Sequence, residues 1–176
     1  MIKPEKVVKT VSQETFYPSV IEPSFGVGRI LYAIFEHSYR ERTDLEEVRK
    51  YFWFPPRLAP VKCCILPLSK NAEFDPVVSQ VKVLMKQKGL SVEVDDSSST
   101  IGRRYARCDE VGIPFGVTVD FQSIQDNTVT LRESESMAQV RISVEAVPRV
   151  LKHLVSGRIQ WEAVTQQYPR FQTESN

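Results

Sequence analysis

Long apolar runs are missing from this chain. No uninterrupted stretch approaches the roughly 20 residues that would span a bilayer, and the lysines at 3, 6 and 9 are followed by no apolar core of a secretory signal. The opening residues also lack the Arg- and Ser-rich bias of an organelle presequence, so the expected location is cytoplasmic, with a mitochondrial form compatible. Histidine is scarce. The two present, His37 and His153, stand in no H-E-x-x-H pattern and beside no carboxylate cluster, so no protein-bound zinc and no metal site is expected. The three cysteines, Cys63, Cys64 and Cys108, form no C-x-x-C pair. Adjacent cysteines on a strand point to opposite faces, so these are read as reduced packing residues. An excess of one charge is absent too: 23 Lys and Arg stand against 22 Asp and Glu, for a net charge of +1. That balance excludes a protein that coats polyanions generally, and any nucleic-acid contact has to come from a local patch.

What is there suits a globular chain of 176 residues, with 41% hydrophobic and 26% charged residues, enough for one solid core and an appendage. Residues 5 to 22 mix β-branched and polar types and read as extended structure leading into the turn "EPSFGVGR" (22 to 29). Ile30, Leu31, Ile34 and Phe35 then recur at helical spacing, giving an amphipathic helix over about 28 to 40 that Arg40, Glu41 and Arg42 close with charge. "FWFPPRLAP" (52 to 60) holds three prolines and marks a domain boundary, with residues 1–59 before it and a domain at 60–176 after it.

Beyond the boundary, "VKCCILPL" (61 to 68) reads as a buried strand. Phe74, Val77, Val78, Val81, Leu84 and Met85 form a helical stripe with Pro76 in its first turn and Gly89 at its end. "SVEVDD" is a short strand, and Ser99 or Thr100 caps a helix whose inward face is Ile101, Tyr105, Cys108 and Val111. Three strands follow, "FGVTVDF" (115 to 121), "TVTLRE" (128 to 133) and "MAQVRISV" (137 to 144), the first two joined by a hairpin loop containing "QDNT". Pro148 opens a helix stopped at Gly157, and Trp161, Val164 and Tyr168 mark a last short one. The order βαβαβββαα predicts an α/β fold with a mixed, roughly five-stranded sheet flanked by helices in three layers, preceded by a strand-turn-helix unit.

In "EPSFGVGR", Glu22 and Ser24 are two apart and face one side of an extended backbone, where they could receive an ammonium group. Gly26 and Gly28 allow close backbone approach, the next helix starts with unpaired N–H groups suited to phosphate, and Arg29 could pair with a phosphate or stack on a base. A plain tight turn explains the same glycines. Arg103, Arg104 and Arg107 lie off the apolar face of their helix and suit RNA phosphates and unpaired bases. The alternative pairs them with Asp95, Asp96, Asp109 and Glu110. Asp120, Phe121 and Arg132 are further candidates, since a carboxylate can accept from cytosine N4 and a ring can stack. Phe121 is equally readable as core, and Trp161, Tyr168, Cys63 and Cys64 are read as core.

"EPSFGVGR" followed by an aliphatic helix resembles motif 3 of the class II aminoacyl-tRNA synthetases, in the form used by the dimeric glycyl-tRNA synthetases. "VKCCILPLS", "VDDSSSTIGRRYARCDEVGIPFGVTVDF", "TVTLRESESMAQVRISV" and "GRIQWEAVTQQYPRF" resemble the anticodon-binding domain of that family in the same order, so that the likeness covers residues 17 to 172. The resemblance implies that Glu22 and Ser24 hold glycine and Arg29 holds ATP, with magnesium accompanying the nucleotide. It implies tRNA(Gly) as partner, a homodimer in the intact enzyme and no membrane. The 55 or so residues before the boundary have no room for motifs 1 and 2, so the chain looks like a C-terminal piece of a synthetase that would not activate glycine alone. A noncatalytic accessory protein on the same fold, such as the accessory subunit of mitochondrial DNA polymerase, is the rival. Glu22, Ser24 and Arg29 count against it, because a factor freed from catalysis has no need of that trio. A free-standing small-molecule enzyme is weakened by the lack of a grouped nucleophile, base and orienter.

Overall fold

The computed structural model describes residues 2–44 and 47–171. Met1, residues 45 and 46 and the final residues 172–176 of the expected 60–176 domain lie outside them. After the proline-rich stretch the alternation of apolar strands and amphipathic helices closes into one sheet, in the order β4 (Val92–Val94), β3 (Cys63–Pro67), β5 (Phe115–Val119), β6 (Thr128–Glu133), β7 (Gln139–Ser143). Strand β3 runs parallel to β4 and β5, because helices α2 (Asp75–Gln87) and α3 (Ile101–Glu110) carry the chain back across the sheet. Strands β5, β6 and β7 are antiparallel neighbours. The mixed five-stranded sheet flanked by helices is the one expected.

One face of the sheet presents Cys63, Ile65, Val117, Val119, Val129, Leu131, Val140 and Ile142. Helices α2, α5 (Val147–Ser156) and α6 (Trp161–Gln167) cover it with Phe74, Val81, Met85, Leu151, Trp161 and Val164. Each fully buried aliphatic or aromatic side chain contributes roughly 1.5–3 kcal/mol, so this layer holds the domain together. Trp161, Tyr168, Cys63 and Cys64 are packing residues, as read. Helix α3 covers the other face with Ile101, Tyr105 and Cys108 over Cys64 and Leu66. Val111, expected inward, is 63% exposed. The helix ends at Glu110 and the left-handed turn at Gly112 swings Val111 outward. Thr100 is the cap, its hydroxyl accepting from the Arg103 amide at 3.4 Å.

Two stretches differ from the sequence reading. The charged segment after helix α1 (Val27–Ser38) is a β-hairpin, β1 (Tyr39–Asp44) with β2 (Glu47–Phe52). Its alternation sets Glu41 opposite Lys50 and Tyr39 opposite Phe52, cross-strand pairs that stabilise a sheet. Dense charge after an apolar stripe also marks a helix end, which is why the sequence pattern alone suggests one here. The supposed "QDNT" hairpin loop is instead a helix, α4 (Phe121–Asp126), with the strand before it ending at Val119. Asp120 and Ser123 form a reciprocal capping box, and left-handed Asn127 ends the helix.

The hairpin is anchored to the larger sheet. Arg42 donates to the carbonyls of Ser134 at 2.8 Å and Glu135 at 2.9 Å. Phe52 and Phe54 stack at 5.3 Å and close over Gly112. Upstream, residues 2–26 form no helix or strand, and the stretch read as extended has no sheet partner among the described residues. Helix α1 buries only Ser38, leaving Ile30, Leu31 and Tyr32 exposed.

Candidate nucleic-acid interface

Period-2 alternation sends the polar residues of β5, β6 and β7 to the face that α3 covers only in part. Register places Thr118, Thr130 and Arg141 in one row, and Gly116, Arg132 and Gln139 in the next. At the end of β5 the carboxylate of Asp120 caps α4 and meets Arg141 by two hydrogen bonds, of 2.5 Å and 2.9 Å. Arg141 Nε also donates to Thr128 Oγ1 at 2.6 Å. Burial pushes the Asp120 carboxyl up, but the Arg141 guanidinium and the Ser123 amide outweigh it and hold it below the ordinary carboxylate value. Asp120 is therefore an anion at neutral pH, with its charge largely engaged.

Beside this pair lies a cleft of about 200 Å³ walled by Leu68, Tyr105, Thr118, Asp120, Gln139 and Phe171. Its apolar rings can flank a planar group, while Gln139 and the hydroxyls offer donors and acceptors to a base edge. The Tyr105 hydroxyl is tied to Thr118 Oγ1. Next to Asp120, Phe121 is 53% exposed with its ring 5.1 Å from Phe74. Phe121 is thus half-exposed and only partly a core residue.

The predicted basic residues separate sharply. Arg103 is exposed. Arg107 is half-exposed and bonded to Asp95 at 2.7 Å and Ser97 at 2.5 Å. Arg104 is 2% exposed and donates to the carbonyls of Pro67, Asp95 and Leu68, clamping the ends of β3 and β4. It is a structural residue, because its guanidinium satisfies buried carbonyls and faces no solvent. Arg132 is buried as well. It meets both carboxylate oxygens of Asp109 at 2.9 Å and lies 4.6 Å over the Tyr105 ring, so it is withdrawn from direct base contact. The acidic-partner alternative holds for Arg107, which meets Asp95, while Arg104 is held by backbone carbonyls with its Nε unpartnered and Arg132 by Asp109. Arg141, Gln139 and Phe171 were missed. The first two stand at alternate polar positions of "MAQVRISV", a signal the strand pattern already contained.

Glu22, Ser24, Gly26, Gly28 and Arg29 lie elsewhere, exposed before and within the first turn of α1. No described hydrogen bond joins residues 2–26 to the five-stranded domain. A Cβ added at Gly28 would meet nothing within 4 Å, so the backbone there is open to a ligand. Among the described residues, no group of three His, Cys, Asp or Glu side chains stands together for a metal ion, and no helix is long and apolar enough to cross a membrane.

Comparison with known proteins places this geometry. Residues 62–154 match the family model of the anticodon binding domain. The chain belongs to that family. Its anticodon-binding domain and the segment before it are 52% identical over 167 residues to glycine-tRNA ligase of Drosophila melanogaster, covering 94% of this chain and 22% of that protein. The same name belongs to a Bombyx mori relative 51% identical over 175 residues, covering 99% of this chain and 24% of that one. A Methanocaldococcus jannaschii glycine-tRNA ligase is 42% identical over 148 residues, covering 84% and 25%. The chain thus spans about a quarter of the length of these homologues. Among solved structures, prolyl-tRNA synthetase from Cryptosporidium parvum complexed with halofuginone and AMPPNP aligns with a TM-score of 0.56 at 22% identity, over 66% of this chain and 25% of that one. That likeness shares the fold of the anticodon-binding domain.

Proposed function

We propose that this chain is part of a glycyl-tRNA synthetase, and that its domain at 60–176 binds the anticodon loop of tRNA(Gly). The observation that carries this reading is the cleft lined by Asp120, on a domain of the anticodon-binding family. Unpaired bases are held by stacking and by bonds to their edges, and here the rings of Tyr105 and Phe171, the Gln139 carboxamide and the Thr118 and Thr130 hydroxyls line one cleft. Arg103 and Arg107 are exposed on helix α3 outside the cleft, where their charge suits RNA phosphates.

Residues 1–59 belong in this reading to the catalytic side. Glu22 and Ser24 receive the ammonium group and backbone of glycine, and Arg29 pairs with ATP, which arrives with magnesium. The open backbone at Gly28 and the exposed Arg29 suit an anionic nucleotide. The uncovered apolar face of α1 fits against the remainder of a catalytic domain, within a homodimeric enzyme. Hydroxyl-radical footprinting of tRNA(Gly) on this chain tests the domain's role. Protection of the anticodon arm is expected, and protection confined to the acceptor end would overturn the assignment.

A further inference from the structure

Helix α3 is a ridge with two flanks. On one, Ile101 and Tyr105 line the cleft beside Asp120 and Gln139. On the other, Gly102, Arg103 and Ala106 face Val48, Arg49 and Lys50 of β2 across a groove of about 550 Å³. Arg49, Lys50 and Arg103 are all exposed, and none of them makes an ion pair among the described residues. Glu110 is the one carboxylate among the described lining residues, so the described walls are net cationic. This contrasts with the internal arginines: Arg42, Arg104, Arg132 and Arg141 each satisfy protein acceptors.

The groove is also held in shape. Phe52 and Phe54 close over Gly112 at the far end of α3, and Arg42 fastens β1 to the chain after β6. Arg49 and Arg103, with Lys50 opposite Glu41, are three exposed cations on two elements, and their charge suits a polyanion.

We propose that this groove holds the sugar-phosphate backbone of the RNA stem whose loop occupies the opposite flank of α3. The hairpin is then an RNA-contacting element in its own right, adding affinity without reading sequence. The inference rests on the reading that the domain binds the anticodon loop.

The test uses Arg49→Ala/Lys50→Ala on one wall and Arg103→Ala on the other, with circular dichroism to confirm folding. Dissociation constants are measured across a salt series for tRNA carrying the glycine anticodon and for an anticodon-substituted control. Loss of phosphate contacts weakens both RNAs by one common factor, about tenfold for the double variant, and lowers the salt slope by about two for it and about one for Arg103→Ala. The affinity ratio between the RNAs stays unchanged. Unaltered affinity and slope, or a loss confined to the glycine anticodon, overturns the groove assignment. Should the hairpin variant misfold, Arg103→Ala decides alone from its solvent-facing helix position. Failure of the underlying reading shows separately, as wild-type affinity that ignores the anticodon, while the groove is judged by the variants' salt slope on either RNA. No binding of either RNA by the wild-type chain overturns both.

Discussion

Arg132 and Asp109 meet through two parallel hydrogen bonds of 2.9 Å, one to each carboxylate oxygen, with both side chains more than nine-tenths buried. The pair joins β6 to the end of α3, and Arg42 of the hairpin stands 3.8 Å from the same carboxylate. Three elements are therefore tied at one acidic side chain beneath the proposed RNA face.

Removing one member leaves the other charged and buried. Arg132→Ala is expected to destabilise the domain by about 3 kcal/mol, the low end for a broken buried pair because Arg42 remains nearby. Chemical denaturation reads the change. The folded variant should bind tRNA with the affinity of the parent. A variant of undiminished stability that lost tRNA affinity would return Arg132 to the RNA interface.

Gly112 is a second structural hinge point. Its φ is +76°, and an added Cβ would collide with the Phe54 ring. Gly112→Ala combines left-handed strain with overpacking and should cost about 2–4 kcal/mol. In a Phe54→Ala background the ring clash is gone and only the Phe52 Cβ at 3.1 Å still crowds the site, so the same change should cost less, about 1–2 kcal/mol, mostly for the conformation. Thermal melts of the four proteins measure that non-additivity. Equal costs in both backgrounds would mean that the linker does not seat on α3.

Asp120 sets an acid limit on the domain. Its folded carboxyl is held below the ordinary value of about 3.9, so the unfolded chain takes up the proton first as pH falls. The stability from its pairing with Arg141 is complete above the unfolded pKa and is lost as pH drops through the folded one. Asp120→Asn keeps a good helix cap but removes the charge. It should melt at a lower temperature than the parent at pH 6, with the difference shrinking as pH falls below about 4. A difference constant down to pH 2 would contradict the ion-pair account.

Much of the architecture was legible because burial writes period 2 and period 3.6 directly into the apolar residues. β3, α2, α3, β6 and α5 fall where Cys63 to Pro67, the Val78 and Val81 stripe, the Tyr105 face, Thr128 to Glu133 and the Val150 and Leu151 stripe put them. The β1-β2 hairpin was illegible because seven of its twelve strand residues are charged, a density that an exposed helix end also shows. Helix α4 was hidden in six residues that bury only Ser123. Its capping signature, Asp120 followed by Ser123, was present but was read as loop. The site was legible in residue type and not in direction. Four arginines among "GRRYAR" and Arg132 look alike in sequence, yet acceptors from distant strands pull Arg104 and Arg132 inward. Those acceptors, Pro67, Asp95 and Asp109, are brought close only by the parallel crossover of β3, β4 and α3.

The central claim is that this domain recognises an anticodon, and a paired titration tests it most directly. The chain is titrated, at one stated salt concentration, with tRNA carrying the glycine anticodon and with the same tRNA substituted only at the anticodon. The account predicts tighter binding of the first by about tenfold, the effect of one or two base contacts. Equal affinity for the two RNAs would contradict it.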